Sequence, residues 1–367
     1  MTQYSFILAC EQIIYHVNLF CALASIPMRV LFFKTIGRSS DSHGKNPARF
    51  SSIATVCTLE QASQRPWKEI NPATRHVYLH VLCSTKMYMK AIQQKDKPVA
   101  AILLDLITHQ TVDFEFEVSM IDRIIQRHLK RRVTKVLTVN CSTGNHSILL
   151  AKKGYEVTGI DSSEEMLSLA RTKTAGFPHP PQFYRMDMRQ IRFAWQFDVG
   201  LLLSGSFGHL TVARDLEQFL AGIRRHLPNG LLVFEFWQPS GVDAQSRTNQ
   251  GRLNWDKAVD SQSGNIAIRL TKAVYQKSKE ELFISIENYY IDPQRERLLG
   301  ASAEHQKLKL YNTKSLVKIL KRAGFSPEAF YALDAERKSI RAPKETDLKL
   351  LCVARVLQGK PKHVVKR

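Results

Sequence analysis

The chain has 367 residues, of which 44% are hydrophobic and 9% aromatic. These values exclude a mainly disordered or fibrous chain, and the length allows one large α/β domain with an appendage, or two modest domains. The formal net charge is +20, which favours contact with nucleic acid, anionic membrane surfaces or acidic ligands without selecting one of them.

The cysteine pattern and the apolar segments bear on the cellular compartment of the protein and on whether it holds a metal. Six cysteines lie far apart with no CxxC pair, which predicts neither a zinc site nor a compact disulfide framework. The apolar-rich stretch 5–33 is interrupted by charged and polar residues such as Glu11 and Arg29, so no transmembrane helix is predicted there. We therefore expect a cytoplasmic protein without a metal site.

The two ends of the chain carry little regular pattern. Residues 1–96 have weak periodicity and scattered turn formers, and we interpret them as a poorly defined accessory region. Residues 359–367 form a basic tail. The predicted domain occupies residues 97–358.

A repeated strand and helix pattern opens this domain. Five apolar residues at helical spacing predict an amphipathic helix leading into the strand KVLTV (135–139). A helix over 146–153, the strand YEVTGID (155–161) and a helix opened by a capping box of Ser162 and Glu165 follow. This alternation predicts a parallel sheet with right-handed crossovers. The five apolar residues are Phe114, Val118, Ile121, Ile125 and Leu129.

The pattern changes in the second half of the domain. A buried strand is predicted over 196–206, and LLVFEFW (231–237) forms another after an amphipathic helix. Period-two segments between about 248 and 310 then predict an antiparallel, β-rich insertion. A helix capped by Thr313 and two closing strands complete the domain.

The turn NCSTG (140–144) and the acid Asp161 suggest a nucleoside-containing ligand. A small-residue turn lets a ligand approach the backbone, and the helix that follows presents free N–H groups to an anionic group. An acid after the second strand accepts hydrogen bonds from ribose hydroxyls in nucleotide-binding folds. The nicotinamide fingerprint GxGxxG would require glycine at Asn140, Ser142 and Asn145, and none is glycine. A nicotinamide dehydrogenase is therefore the weaker alternative.

Four motifs in order resemble the class I S-adenosylmethionine-dependent methyltransferases, in particular the small-molecule subgroup with a late β-rich insertion. They are VLTVNCSTG, EVTGID, YRMDMRQI and FDVGLLLSGSFGHL. The resemblance implies an α/β, Rossmann-like fold whose mostly parallel, seven-stranded sheet has an antiparallel last strand. It also implies S-adenosyl-L-methionine as cofactor, a small-molecule N or O acceptor, and an insertion that covers the acceptor site.

The resemblance implies a set of site residues as well. Asp187 and Met188 would meet the adenine edge, and Ser204 and Gly205 would face the methionine portion. Phe207 and His209 are expected beside the acceptor, where His209 would orient or deprotonate it; a structural hydrogen bond at a helix start is the alternative role for His209. The complete predicted set of cofactor contacts is Asn140, Ser142, Gly144, Asp161, Ser162, Asp187, Met188, Ser204 and Gly205.

Four positions depart from the family pattern. Related enzymes usually have an acid at Thr138, glycine at Asn140 and Ser142, and a tyrosine near Leu104. Asn tolerates left-handed backbone angles, whereas Ser would cost on the order of 1–2 kcal/mol, roughly a 5–30-fold loss of affinity. The departures predict weakened cofactor binding.

Two other functions stay open. The basic charge allows an RNA or protein methyltransferase, although no motif indicates nucleic acid. The departures allow a methyltransferase-like interaction protein with a degenerate cofactor loop and no turnover. Several aromatic residues are expected either to line the acceptor site or to lie in the core, namely Trp237, Trp255, Tyr289, Tyr290 and Tyr311.

Overall fold

A computed structural model describes residues 97–249, 253–295 and 297–357 of the chain. The predicted accessory region and basic tail lie outside these residues. The described residues fall into two units. One unit contains residues 292–295 and 297, and the other contains all the remaining described residues. Among the described residues, no helix has the length and apolar character needed to cross a membrane.

The main sheet has eight strands in the order β11-β10-β12-β5-β4-β1-β2-β3. The strands β1 to β5 pair in parallel, whereas β12 is antiparallel to both β5 and β10. The carboxyl ends of β1 to β5 therefore meet at one edge of the sheet. The strands are β1 (Lys135–Val139), β2 (Glu156–Asp161), β3 (Gln182–Arg185), β4 (Val199–Leu202), β5 (Leu231–Trp237), β10 (Phe325–Asp334), β11 (Ser339–Arg341) and β12 (Lys349–Val356).

Helices cover both faces of this sheet, because the side chains of each buried strand alternate between two apolar clusters. Leu137 and Phe234 belong to one cluster, and Val136 and Val233 to the other. The α-helices of the described chain are α1 (Lys97–Thr111), α2 (Phe114–His128), α3 (Asn145–Lys152), α4 (Glu164–Thr174), α5 (Ala213–His226), α6 (Pro239–Asn249) and α7 (Thr313–Arg322).

A separate antiparallel sheet follows β5, as the period-two segments predicted. Its strands pair in the order β6-β7-β8-β9, and Ala258 and Ala267 pack against Leu103 and Ile107 of α1. This sheet therefore rests on the first helix of the domain. Its strands are β6 (Leu253–Val259), β7 (Ile266–Gln276), β8 (Glu281–Asp292) and β9 (Arg297–Lys309).

The structure confirms the predicted fold class and corrects three details. The main sheet has one strand more than predicted, because β11 folds back to pair with the end of β10. The cap of α4 is Ser163, whose hydroxyl accepts from the Met166 N–H, and not Ser162. The cap of α7 is Asn312 and not Thr313.

Asp198 joins the amino ends of three strands. Its carboxylate accepts hydrogen bonds from the backbone N–H groups of Thr134 (2.8 Å) and Lys135 (2.9 Å) and from Arg131, and its backbone carbonyl accepts from the Leu231 N–H. Partial burial alone would raise the pKa of Asp198, but these donors outweigh burial and lower it.

We expect Asp198→Asn to lower the free energy of unfolding by about 1–3 kcal/mol at neutral pH, because a charged acceptor of several N–H groups is lost. A carboxyl with a lowered pKa stabilises the fold above its ordinary titration range, and this contribution disappears as the pH falls through the folded-state value. The difference between wild type and variant in urea unfolding should therefore shrink towards pH 3. The exposed Glu156→Gln variant is the control, and an equal loss there would contradict this role.

Candidate functional site

The turn between β1 and α3 adopts the backbone conformation that glycine-rich turns adopt. Asn140 (φ 50°), Ser142 (φ 51°) and Gly144 (φ 79°) all have left-handed backbone angles. The Cys141 N–H donates to the Ile160 carbonyl (3.0 Å), which ties the turn to β2. The positions that hold Asn and Ser are thus those where the conformation favours glycine, so Ser142 carries the strain expected from the sequence.

Gly144 is required by its conformation and by its neighbours. A Cβ atom at this position would lie 2.9 Å from Cζ of Phe183 and 3.0 Å from Cβ of Ala170. The aromatic ring of Phe183, on β3, therefore packs directly against the turn. This contact explains why glycine remains at 144 although two neighbouring positions have other residues.

Asp161 lies at the end of β2 and holds the turn in place. One carboxylate oxygen accepts from the Ser142 N–H and the other from the Ser163 N–H, both at 2.9 Å. The next strand end is close, because the Met186 N–H donates to the Asp161 carbonyl (2.9 Å). A carboxylate has about four lone-pair sites, so Asp161 retains acceptor capacity for hydroxyl groups of a ligand.

A cavity of about 150 Å³ lies beside this turn, at the carboxyl edge of β1 and β4. Asn140, Ser142 and Ser204 line it, as does Leu104 of α1, which occupies the place where the family pattern has tyrosine. Thr138 also lines it, and its hydroxyl is hydrogen-bonded to the Ser147 hydroxyl (2.7 Å). Three of the nine predicted cofactor contacts thus line one cavity, namely Asn140, Ser142 and Ser204.

The other predicted cofactor contacts are not in the lining of that cavity, namely Gly144, Asp161, Ser162, Asp187, Met188 and Gly205. A Cβ atom at Gly205 would lie 2.1 Å from Nε1 of Trp237, so this glycine allows the β4 turn to pack on the indole. Ser162 is exposed, and its carbonyl accepts from Nε of Arg185 (3.2 Å).

Asp187 reaches the same edge of the sheet, because it follows β3, but its carboxylate already has a partner. Arg189 donates to it from Nε (2.9 Å) and Nη2 (2.5 Å), and the guanidinium lowers the pKa of Asp187. Met188 follows in a short 3₁₀ turn and packs against the core. A ligand that donates a hydrogen bond to the Asp187 carboxylate would compete with Arg189 for it.

The expectation that Phe207 walls an acceptor pocket is wrong in this structure. Its ring is fully buried and stacks on Phe234, with 4.3 Å between ring centroids. Tyr311 contacts the same ring edge-on, and its hydroxyl donates to the Leu210 carbonyl. These aromatic side chains stabilise the core beneath the β4 turn.

His209 is exposed and does not line the cavity. Desolvation by the surrounding chain lowers the pKa of His209, and the charge of Glu304 on β9 acts in the opposite direction. The neighbouring Gly208 packs against Leu308 of β9, since a Cβ atom there would lie 3.2 Å from the Leu308 Cβ. His209 thus lies where the β4 turn meets the antiparallel sheet.

Two side-chain pairs beside the cavity were missed in the sequence. Asp105 of α1 accepts from Thr143 (2.5 Å) and from Lys173 (2.8 Å), and desolvation lowers the pKa of Lys173 against the influence of Asp105. His146, which lines the cavity, contacts Glu117 of α2 through Nε2 at 2.8 Å. No sequence motif joins residues so far apart. In the described part of the chain, no cluster of His, Cys, Asp and Glu is arranged to hold a metal ion.

Known proteins share this part of the chain. A family model described as a methyltransferase domain matches residues 136–230. A putative methyltransferase, YqeM, of Bacillus subtilis is 43% identical over 103 residues, which are 28% of this chain and 41% of that protein. The S-adenosylmethionine-dependent methyltransferase of Clostridium acetobutylicum superposes with a TM-score of 0.58 and 17% identity, over 70% of this chain and 97% of that structure. Residues 136–230 thus match a methyltransferase domain, and the fold is that of an S-adenosylmethionine-dependent methyltransferase.

A more distant relative of this methyltransferase domain acts on an amino sugar. The dTDP-3-amino-3,6-dideoxy-α-D-glucopyranose N,N-dimethyltransferase of Streptomyces fradiae is 30% identical over 140 residues, which are 37% of this chain and 52% of that protein. The chain therefore spans about half the length of the curated relatives it matches.

We expect Gly144→Ala to destabilise the methyltransferase domain by about 2–4 kcal/mol, because it adds a left-handed alanine to an overpacked contact with Phe183. Gly154→Ala is the matched control. Gly154 also has a left-handed angle (φ 94°) but no atom within 4 Å of an added Cβ, so only the conformational part, about 1–2 kcal/mol, should be lost. Equal losses of unfolding free energy in the two variants would contradict a packing role for Phe183.

Proposed function

We propose that the protein transfers a methyl group from S-adenosyl-L-methionine to a nitrogen atom of a small molecule. The observation that carries this proposal is the position of the Asp161 carboxylate, which is fixed by the Ser142 N–H at the rim of the cavity. An adenosyl ligand with its ribose on Asp161 would extend its amino-acid end along the turn into that cavity. We propose Asn140, Ser142, Asp161 and Ser204 as contacts.

The residues present fit such a cofactor. Residues 140–143 of the left-handed turn line the cavity, and the first N–H groups of α3 lack partners within the helix and can bind a carboxylate. When bound, the cofactor supplies an electrophilic methyl group on a sulfonium. What this chain contributes is orientation, because holding two reactants in line accounts for much of the rate of such transfers.

The nitrogen acceptor is supported by the named activity of the amino-sugar N,N-dimethyltransferase relative. We place the acceptor beside His209, where the β4 turn meets the antiparallel sheet of β6 to β9, since His209 and Gly208 lie next to β9 there. His209 is the acceptor-side residue of this proposal. An amine acceptor that arrives protonated must lose a proton before it can attack, and His209 is the group that we propose to take it.

We expect Asp161→Asn to weaken binding of S-adenosylhomocysteine at least about tenfold, because a charge-assisted acceptor for the ribose hydroxyls is lost. Isothermal titration calorimetry on the full chain measures this affinity. Glu164→Gln is the control, since Glu164 is a neighbouring acid that contacts Arg171 instead of the turn. Wild-type protein that fails to bind at millimolar ligand, or an Asp161→Asn variant that binds as well as wild type, contradicts the proposed function.

A further inference from the structure

His146 is the cavity-lining residue with a carboxylate held directly behind its ring. Its Nε2 lies 2.8 Å from Oε2 of Glu117, and both side chains are largely buried, with exposed fractions of 14% and 23%. Because an ionised carboxylate only accepts hydrogen bonds, Nε2 is the donor of this pair. In the neutral form of the ring, Nδ1 carries a lone pair, and this nitrogen bonds to no residue that the structure describes.

The ring is fixed in the cavity wall. Phe114 contacts it edge-on, with 5.0 Å between ring centroids and an interplanar angle of 86°. Phe114 and His146 both line the cavity. A ring that is held by Glu117 on one side and by Phe114 on another has a defined direction for its remaining nitrogen.

Glu117 and Asp105, the acid of α1 beside the cavity, differ in their ion-pair partners. Asp105 is neutralised by Lys173 at 2.8 Å. Among the described residues, no lysine or arginine forms an ion pair with Glu117, and Lys349, whose charge also acts on Glu117, lies 3.0 Å from Glu235. That geometry agrees with the pKa of Lys349, which is raised first by Glu235 and only to a smaller extent by Glu117.

We propose that Nδ1 of His146, with Glu117 behind the ring, accepts a hydrogen bond from the ammonium group at the amino-acid end of the cofactor. This inference rests on the proposed function, because it assumes an adenosyl ligand on Asp161. A zwitterionic amino-acid end needs donors for its carboxylate and an acceptor for its ammonium. The amino end of α3 supplies the donors, and His146, the second residue of that helix, supplies the acceptor. Glu117 is a positioning residue, since it acts through the ring.

The test compares three ligands on the full chain by calorimetry. S-adenosylhomocysteine carries the whole amino-acid end, S-adenosyl-3-thiopropylamine keeps only the ammonium, and 5′-methylthioadenosine carries neither charged group. Wild type should bind the first two more tightly than 5′-methylthioadenosine. His146→Ala should reduce this preference about tenfold or more for both ammonium ligands, with the affinity for 5′-methylthioadenosine unchanged.

The control is a second buried histidine with a carboxylate partner. His128 lies 2.7 Å from Glu328, its side chain is 12% exposed, and it is outside the cavity lining. His128→Ala should keep the preference for the ammonium ligands. Glu117→Gln, which preserves size, should reduce that preference, whereas Glu115→Gln at an exposed position of the same helix should not.

The outcomes distinguish a failure of this inference from a failure of the proposed function. A preference that survives His146→Ala or Glu117→Gln overturns the inference, and so does a loss confined to S-adenosylhomocysteine, which would assign the ring to the carboxylate. If His146→Ala no longer binds 5′-methylthioadenosine, its fold is disturbed and Glu117→Gln provides the answer. If wild type binds none of the three ligands, the proposed function itself fails, and the inference fails with it.

Discussion

The hydrogen bond from the Ser142 N–H to the Asp161 carboxylate connects the two features on which the site depends. It joins the turn after β1 to the end of β2, and the second carboxylate oxygen accepts from the N–H of Ser163, the N-cap residue of α4. Because a parallel sheet brings these strand ends to one edge, two short sequence motifs come together without any long loop. The turn is strained at Ser142, and the carboxylate that accepts from its N–H helps to maintain this conformation.

The helix α1 links this turn to the antiparallel sheet. Its Asp105 accepts from Thr143, its Leu104 lines the cavity, and its Leu103 and Ile107 pack against Ala258 and Ala267. One helix thus contacts both the proposed cofactor side and the sheet proposed to cover the acceptor. A shift of α1 would alter both sides of the proposed reaction together, which is a physical route for coupling between the two ligands.

Local pattern was enough to predict the alternation of strands and helices, the turn after β1 and the place of Asp161 at the end of β2, since each depends on residues close in sequence. It misplaced Phe207, because a single aromatic residue among small ones gives no sign of whether it faces a cavity or the core. His146 with Glu117, and Asp105 with Thr143, could not be predicted because each pair joins different helices, and their meeting depends on how α1 and α2 pack on the sheet.

The Phe183 ring also constrains β2. A Cβ atom at Gly159 would lie 2.7 Å from this ring, as one at Gly144 would lie 2.9 Å from it. A single aromatic side chain thus restricts two positions that are 15 residues apart in sequence and belong to two different motifs. A smaller residue in place of Phe183 would relieve one of the two close contacts at Gly159, where Sγ of Cys141 would still lie 2.9 Å from a Cβ atom, whereas Gly144 would remain restricted by its left-handed backbone.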